Sequence, residues 1–333
     1  MRILTFDGGG IRGVLTAQLM TRIELARPGF LERTEFFAGT SIGSINAACF
    51  AKGIPPADVV ELFKRFAVEV FKPRDFIDKW THLDEFVRAD FDNAPLKAGL
   101  EETLGDTKLG ELANHIMIPA FDLEVECRVD SITMLGDLVR EGETRRFSRD
   151  QVLEKTVKLW KPKYMDNFGE AADHPDHEIS LVDACMRSSA APTYFASYQG
   201  FVDGGMMDNN PSMSALAKAV RATGMIREHS LLSVGTGFNP YSVPGDALDW
   251  GLKDWLSGKK LLNMLFDGQI SVPDFQVKQF LNGRYRRLDV VLPEIIDMSD
   301  ADKVDELIDL ANAVDLTKTL EWVDEHWMES SAA

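Results

Sequence analysis

Cysteine is scarce in this chain. Its 333 residues hold three, Cys49, Cys127 and Cys185, scattered and in no C-x-x-C spacing. That excludes a disulfide framework and a cysteine-built zinc site, and fits buried thiols in a reducing compartment. Positive charge is also short, with 36 basic against 53 acidic residues and a net charge of −17. Such a surface argues against DNA or RNA as a partner. It also disfavours electrostatic docking on anionic lipid, so any membrane contact is expected to be apolar and local. Long hydrophobic runs are missing as well: no uncharged apolar stretch reaches the roughly 18 residues that span a bilayer. The N-terminus, Met1-Arg2, leads straight into a strand and a glycine loop without a signal-peptide pattern. The expectation is a soluble, cytoplasmic protein. Repeats, low-complexity segments and an evident linker are absent too.

What is present, 45% hydrophobic residues, suffices for a large core. Arg2 to Phe6 reads as a first strand, followed by the tight loop Asp7-Gly-Gly-Gly-Ile-Arg-Gly13 and a helix with Ile11, Leu15, Leu19 and Ile23 at four-residue spacing. Thr34 to Ala38 is a second strand, Ile42 to Lys52 a buried helix, and Asp58 to Phe71 an amphipathic one. Residues 72–110 have a broken pattern expected to form short helices at a rim. His115 to Phe121 is a strand candidate, and residues 122–180 read as a polar, irregular insertion. A short helix over Leu181 to Arg187, a helix over Ser212 to Thr223, and strands at Leu231 to Val234 and Tyr285 to Leu292 follow. Residues 302–327 are expected to form one long amphipathic helix. Strands alternating with helices predict an α/β fold with a largely parallel sheet covered on both faces.

Chemistry concentrates in three loops. Gly39-Thr-Ser-Ile-Gly43 sets Ser41 between glycines where a strand gives way to a helix, a turn that lifts the hydroxyl clear of the backbone. Gly8-x-Gly10-x-x-Gly13 has the spacing of a dinucleotide fingerprint, but Glu35, the acid at the right distance, starts the second strand instead of ending it. The same glycines can serve as an oxyanion site, because successive N–H groups of Gly8, Gly9 and Gly10 at a helix N-terminus form an anion nest. Neighbouring parallel strands would bring that nest beside Ser41. Arg12 would add charge there or brace the loop through carbonyl contacts.

A serine nucleophile needs a base, and no histidine is well placed. His229 stands at the wrong end of a strand, His326 on the exposed side of the last helix, and His82 and His115 outside any glycine-rich context. His174 and His177 resemble a metal pair, but Pro175 breaks the helical geometry between them, so no metal is expected. Asp203 is the better partner: it closes a short strand and precedes Gly204-Gly205, where backbone can approach closely.

These elements together closely resemble the patatin-like phospholipase family. Asp7-Gly-Gly-Gly-Ile-Arg-Gly13, Gly39-Thr-Ser-Ile-Gly43, Ser188-Ser-Ala-Ala-Pro192 and Asp203-Gly-Gly205 with Asn209-Asn-Pro211 stand in the family's order, over roughly residues 1–240. The resemblance implies a three-layer α/β/α fold and a lipid acyl hydrolase. It implies Ser41 as nucleophile, Asp203 as base and Gly8, Gly9, Gly10 and Arg12 as the oxyanion site. Gly39, Gly43, Gly204 and Gly205 would support the turns, and no cofactor is implied. Residues 1–240 would form the catalytic domain, and 241–333 a C-terminal helical extension packed on it.

A phospholipid or other fatty-acyl ester is then the expected substrate, met in transient peripheral contact with a membrane. Trp250 to Trp255 and Leu261 to Phe266 are candidates for that contact, although an amphipathic helix packed on the core accounts for them as well. Some bacterial relatives of this layout are effectors switched on by cyclic nucleotides, which makes such an activator a candidate here, though no residue pattern marks its site. The competing class is a non-catalytic lipid- or nucleotide-binding protein on the same scaffold.

Overall fold

A computed structural model describes residues 1–71, 89–129, 155–170, 174–242, 249, 251, 255 and 260–328. At its centre is a seven-stranded sheet. Its strands are β1 (Arg2–Phe6), β2 (Phe36–Gly39), β3 (His115–Val129), β4 (Lys155–Asp166), β5 (Phe201–Asp203), β6 (Ser230–Val234) and β7 (Tyr285–Leu288). The order is β4-β3-β2-β1-β6-β7, with β5 paired to β3. The β1–β2, β1–β6, β2–β3 and β6–β7 pairs are parallel, while β4 and β5 run antiparallel to β3.

The apolar runs of β1, β2 and β6 follow from burial on both faces. Alternate residues enter two separate cores: Leu4, Phe6, Phe37, Leu232 and Val234 on one side, Ile3, Phe36, Ala38 and Leu231 on the other. The first core takes in α1 (Gly13–Ala26), α2 (Ile42–Ala51), α3 (Pro56–Glu69), α4 (Asn93–Leu104) and α5 (Leu181–Ser188). It also includes α9 (Val304–Ala313) and α10 (Thr317–Val323). The second is closed by α7 (Ser212–Thr223) and α8 (Lys260–Leu281). A layer of helices on each side of the sheet is the result. A short turn of helix, α6 (Gly205–Asp208), precedes α7. Cys49 and Cys185 are buried free thiols, and burial raises the pKa of both.

Three expectations need correction. Within the polar segment 122–180, expected as an irregular insertion, β3 runs on to Val129 and pairs with β4 out to Lys155, while 130–154 and 171–173 lie outside the described residues. The signal is the alternation of Leu123, Val125, Cys127 and Val129 with Asp122, Glu124, Glu126 and Arg128, the period of a strand. Across the ladder Lys158 faces Glu126 and also reaches Glu124. Residues 93–104, expected as part of a rim, are a twelve-residue helix that buries Leu96, Leu100 and Leu104, while 72–88 lie outside the described residues. The single helix expected over 302–327 is interrupted at residues 314–316. There Arg22 takes the carbonyls of Ala311 and Val314, and the Asp315 carboxylate accepts from the N–H and hydroxyl of Thr317, starting a new helix.

α8 contains Pro273, which has no N–H to give to the carbonyl of Gln269. That carbonyl instead accepts from the N–H of Asn210 at 3.3 Å, and the carbonyl of Ile270 accepts from the Asn210 side chain at 3.2 Å. The proline thus ties α8 to the loop between α6 and α7. Among the described residues no helix is long and apolar enough to cross a membrane.

Candidate active site

β2 pairs with only the first three residues of β3, His115 to Met117, and β5 then takes the same side of β3 opposite Ala120 to Asp122. β2 ends in Gly39 and β5, arriving antiparallel, ends in Asp203. The two chain ends therefore meet head to head in the gap. Ser41 Oγ donates to Asp203 Oδ2 at 2.6 Å across 162 residues of sequence.

The turn that carries Ser41 is strained. Its φ is +54°, a left-handed value a side-chain-bearing residue rarely adopts. Several bonds hold it there. The Ser41 N–H donates to Ser188 Oγ at 2.9 Å, and that hydroxyl donates to the Pro119 carbonyl at 2.6 Å. Thr40 donates to the Asp208 carbonyl at 2.6 Å. Gly39 is required by space: a Cβ there would lie 2.0 Å from the carbonyl oxygen of Gly43, which is backbone and cannot give way.

Asp203 is 3% exposed. Its Oδ1 accepts the Gly205 N–H at 2.7 Å, while its own N–H and that of Gly204 donate to the carbonyls of Ala190 and Ser188. Burial pushes its pKa up to about 7, against the opposing pull of the bonds from Ser41 and Gly205. A carboxyl group poised there changes charge near neutrality.

Register sets Phe6 beside Gly39, so the glycine loop after β1 lies against the Ser41 turn. A Cβ at Gly8 would come within 3.2 Å of the Ser41 Cβ. The Gly8 N–H is already committed to the Asn209 carbonyl at 3.0 Å. The N–H groups of Gly9 and Gly10 have no acceptor among the described residues. Arg12, 8% exposed, donates through Nε to the Gly9 carbonyl and through Nη1 to the Gly237 carbonyl, both at 3.2 Å. It braces the loop through these carbonyl contacts.

The partners that hold Asp7 and the glycine loop had no motif to announce them. Asp7, fully buried, receives Arg287 on both oxygens, at 2.9 and 2.5 Å. Arg287 also holds Ser233 Oγ and Asp289, and Asp289 accepts the Gly237 N–H. Burial draws the Asp7 pKa up to about 6, with Arg287 pulling against it. Thr236 donates to the Gly8 carbonyl and the Met298 carbonyl accepts the Ile11 N–H. The glycine loop is thus held from β7 and the segment after it.

Two recesses flank the loop. One, a cavity of about 30 Å³ beside Ser41 and Gly10, is walled by Ile42, Ile45, Phe66, Val70, Leu96 and Phe195. The other, of about 20 Å³, is polar, with Arg12, Asn209, Asn239, Tyr241, Asn263 and Asp267. Met298 borders both.

Among the described residues no histidine bonds to Ser41. His229 is buried between the N-terminal amine and Thr223, and His115 stacks on Phe168. His326, expected on an exposed side, is half-buried with its ring edge against Trp322. His82 lies outside the described residues. His174 approaches Asp166 and Asp176, without His177, but those carboxylates are answered by Lys218 and Lys163 at 2.7 and 2.6 Å.

The family model for "Patatin-like phospholipase" matches residues 4–216. Protein teg of Priestia megaterium is 25% identical, covering 98% of each chain. A cGAMP-activated phospholipase of Pseudomonas aeruginosa is 26% identical over 86% of this chain and 77% of its own. Calcium-independent phospholipase A2-gamma of Oryctolagus cuniculus is 25% identical over 92% of this chain and 37% of its own. With the serine turn, the glycine loop and the aspartate all inside the matched span, the chain belongs to the patatin-like phospholipase family.

Proposed function

We propose that the protein hydrolyses the acyl ester of a phospholipid, or another fatty-acyl ester, through a Ser41–Asp203 dyad. The observation that carries this reading is the 2.6 Å bond between a strained, glycine-flanked serine and a buried carboxylate, beside an apolar recess. Ser41 Oγ attacks the ester carbonyl as its proton passes to Asp203. The carbonyl oxygen, now negative, accepts from the free N–H groups of Gly9 and Gly10. The intermediate collapses by expelling the alcohol, which takes the proton from Asp203, and acyl-Ser41 remains. Water, giving a proton to Asp203, then attacks the acyl carbon; the bond to Ser41 Oγ breaks as Asp203 returns that proton to Oγ, and the fatty acid leaves. Gly8 and Arg12 keep the donors in place through the carbonyls they donate to and the Thr236 hydrogen bond that the Gly8 carbonyl accepts.

A fluorophosphonate probe reports on this directly. Labelling of the wild type and its loss in Ser41→Ala is the expected result. Labelling that survives the substitution would place the nucleophile elsewhere. Because several relatives are named cGAMP-activated phospholipases, both arms are run with and without cGAMP. Labelling only in its presence would identify a regulated enzyme, latent until the nucleotide binds.

The pKa of Asp203 fixes a pH dependence. A base must be ionised, and this one ionises near 7. kcat/KM is expected to fall about tenfold per pH unit below that value and to level off above it. The same raised pKa makes Asp203 cost stability as pH rises from its unfolded value near 4 through 7, since the buried group must lose its proton. Asp203→Asn should therefore melt above the wild type at pH 8, with the difference shrinking toward pH 4.

A further inference from the structure

The outer face of α8 is apolar and carries no carboxylate. Met264, Leu265, Val272, Phe275 and Phe280 are 51, 48, 55, 64 and 52% exposed. The remaining exposed positions from 261 to 281 are glycine, serine and glutamine, with Lys278 the one charge. Positions 264, 265, 268, 272, 275 and 279 recur at helical spacing, so this is one stripe, about 22 Å long from 264 to 279, with Phe280 at its flank. In a chain with a net charge of −17, a face this long without an acid is distinctive. Both acids of the helix point away from it: Asp267 lines the polar recess, and Asp274 accepts the Tyr285 hydroxyl at 2.6 Å.

The inner side of the same helix reaches the candidate active site. The ring of Phe266 lies 3.1 Å from where a Cβ on Gly205 would stand, two residues from Asp203. The Gln269 carbonyl freed by Pro273 and the Ile270 carbonyl hold Asn210. α8 thus lines the polar recess, through Asn263, Phe266, Asp267 and Ile270, and packs on the loop that follows Asp203.

We propose that this face lies on a phospholipid bilayer, its apolar side chains set among the acyl chains. The inference rests on the lipid-ester reading for its choice of occupant. A bilayer on this face would lie against the helix that packs on the Asp203 loop, and so bring its acyl esters to the rim of the site. Attachment is by apolar insertion: it needs no anionic lipid and survives high salt.

The test uses the full chain. Binding is measured on Ser41→Ala, which leaves vesicles intact, by cosedimentation with phosphatidylcholine vesicles in high salt, with and without cGAMP. Val272→Asp with Phe275→Asp, added to that background, is expected to weaken binding by about tenfold or more. Both positions are exposed, and an unchanged melting temperature verifies the fold. On the active enzyme the same pair should lower hydrolysis of vesicle phospholipid about tenfold, leaving a soluble short-chain ester within about twofold of wild type. Equal vesicle binding by the parent and the double variant, or no binding by the parent, overturns the proposal. So does a lipid-free dimer that the substitutions convert to monomer, for then a second copy covers the face. If wild type cleaves neither substrate while binding follows the expectation, the enzyme reading fails and the surface assignment stands.

Discussion

Ser41→Ala is expected to lower kcat for ester hydrolysis by about 10³-fold or more, with KM nearly unchanged. In the proposed mechanism the hydroxyl is the atom that forms the covalent bond, so its loss would remove the acyl-enzyme route altogether, and the residual rate would be what oxyanion binding gives to water attack. Asp203→Asn should fall to a similar floor: an amide can still accept the Ser41 hydroxyl but cannot take its proton. Losses of this kind are non-additive in a unit that acts together. The double variant is therefore expected to be no slower than Ser41→Ala alone. A multiplicative loss would mean that the two residues work in separate steps. The measurement is steady-state hydrolysis of a soluble ester, with near-ultraviolet circular dichroism checking that the core is intact.

Arg287→Met is expected to cost about 3 to 5 kcal/mol of stability, a larger loss than any surface substitution would bring. Asp7 is fully buried and Arg287 holds both of its oxygens, so the variant strands a carboxylate in the core with Asp289 beside it. The companion is Asp7→Asn with Arg287→Met, which removes the stranded charge and should recover part of the loss. Urea unfolding reads both. Equal stability of Arg287→Met and wild type would show the cluster to be energetically idle. Because Asp7 opens the glycine loop, the single variant should also lose activity beyond what unfolding explains.

The parallel centre of the sheet was legible because β1, β2 and β6 are short apolar runs followed by glycine and helix, the pattern that burial on both faces produces. The far half of β3 and its partner β4 were not, because their alternation is written in charged residues, which read as loop. At the site, Ser41 and Asp203 stand out through their flanking glycines, and Ser188 lies in a recognisable segment. That the Gly8 N–H is spent on Asn209, leaving Gly9 and Gly10 as donors, depends on a contact across about 200 residues and has no local trace. Arg287 is one of two adjacent arginines in a strand, and only the side of the sheet it faces distinguishes it from Arg286. Pro273 stands unremarked in the sequence, and in the fold it frees a carbonyl that another loop requires.

The backbone at Ser41 has a consequence for how such a chain changes over time. A left-handed φ is comfortable for glycine alone. Substitution by glycine would relax the turn, so the most easily tolerated replacement at this position is also an inert one. Foldability and chemistry pull in opposite directions at a single residue. A lineage released from the need for hydrolysis would be free to drift to glycine here first, with its sheet, its recesses and the apolar face of α8 intact.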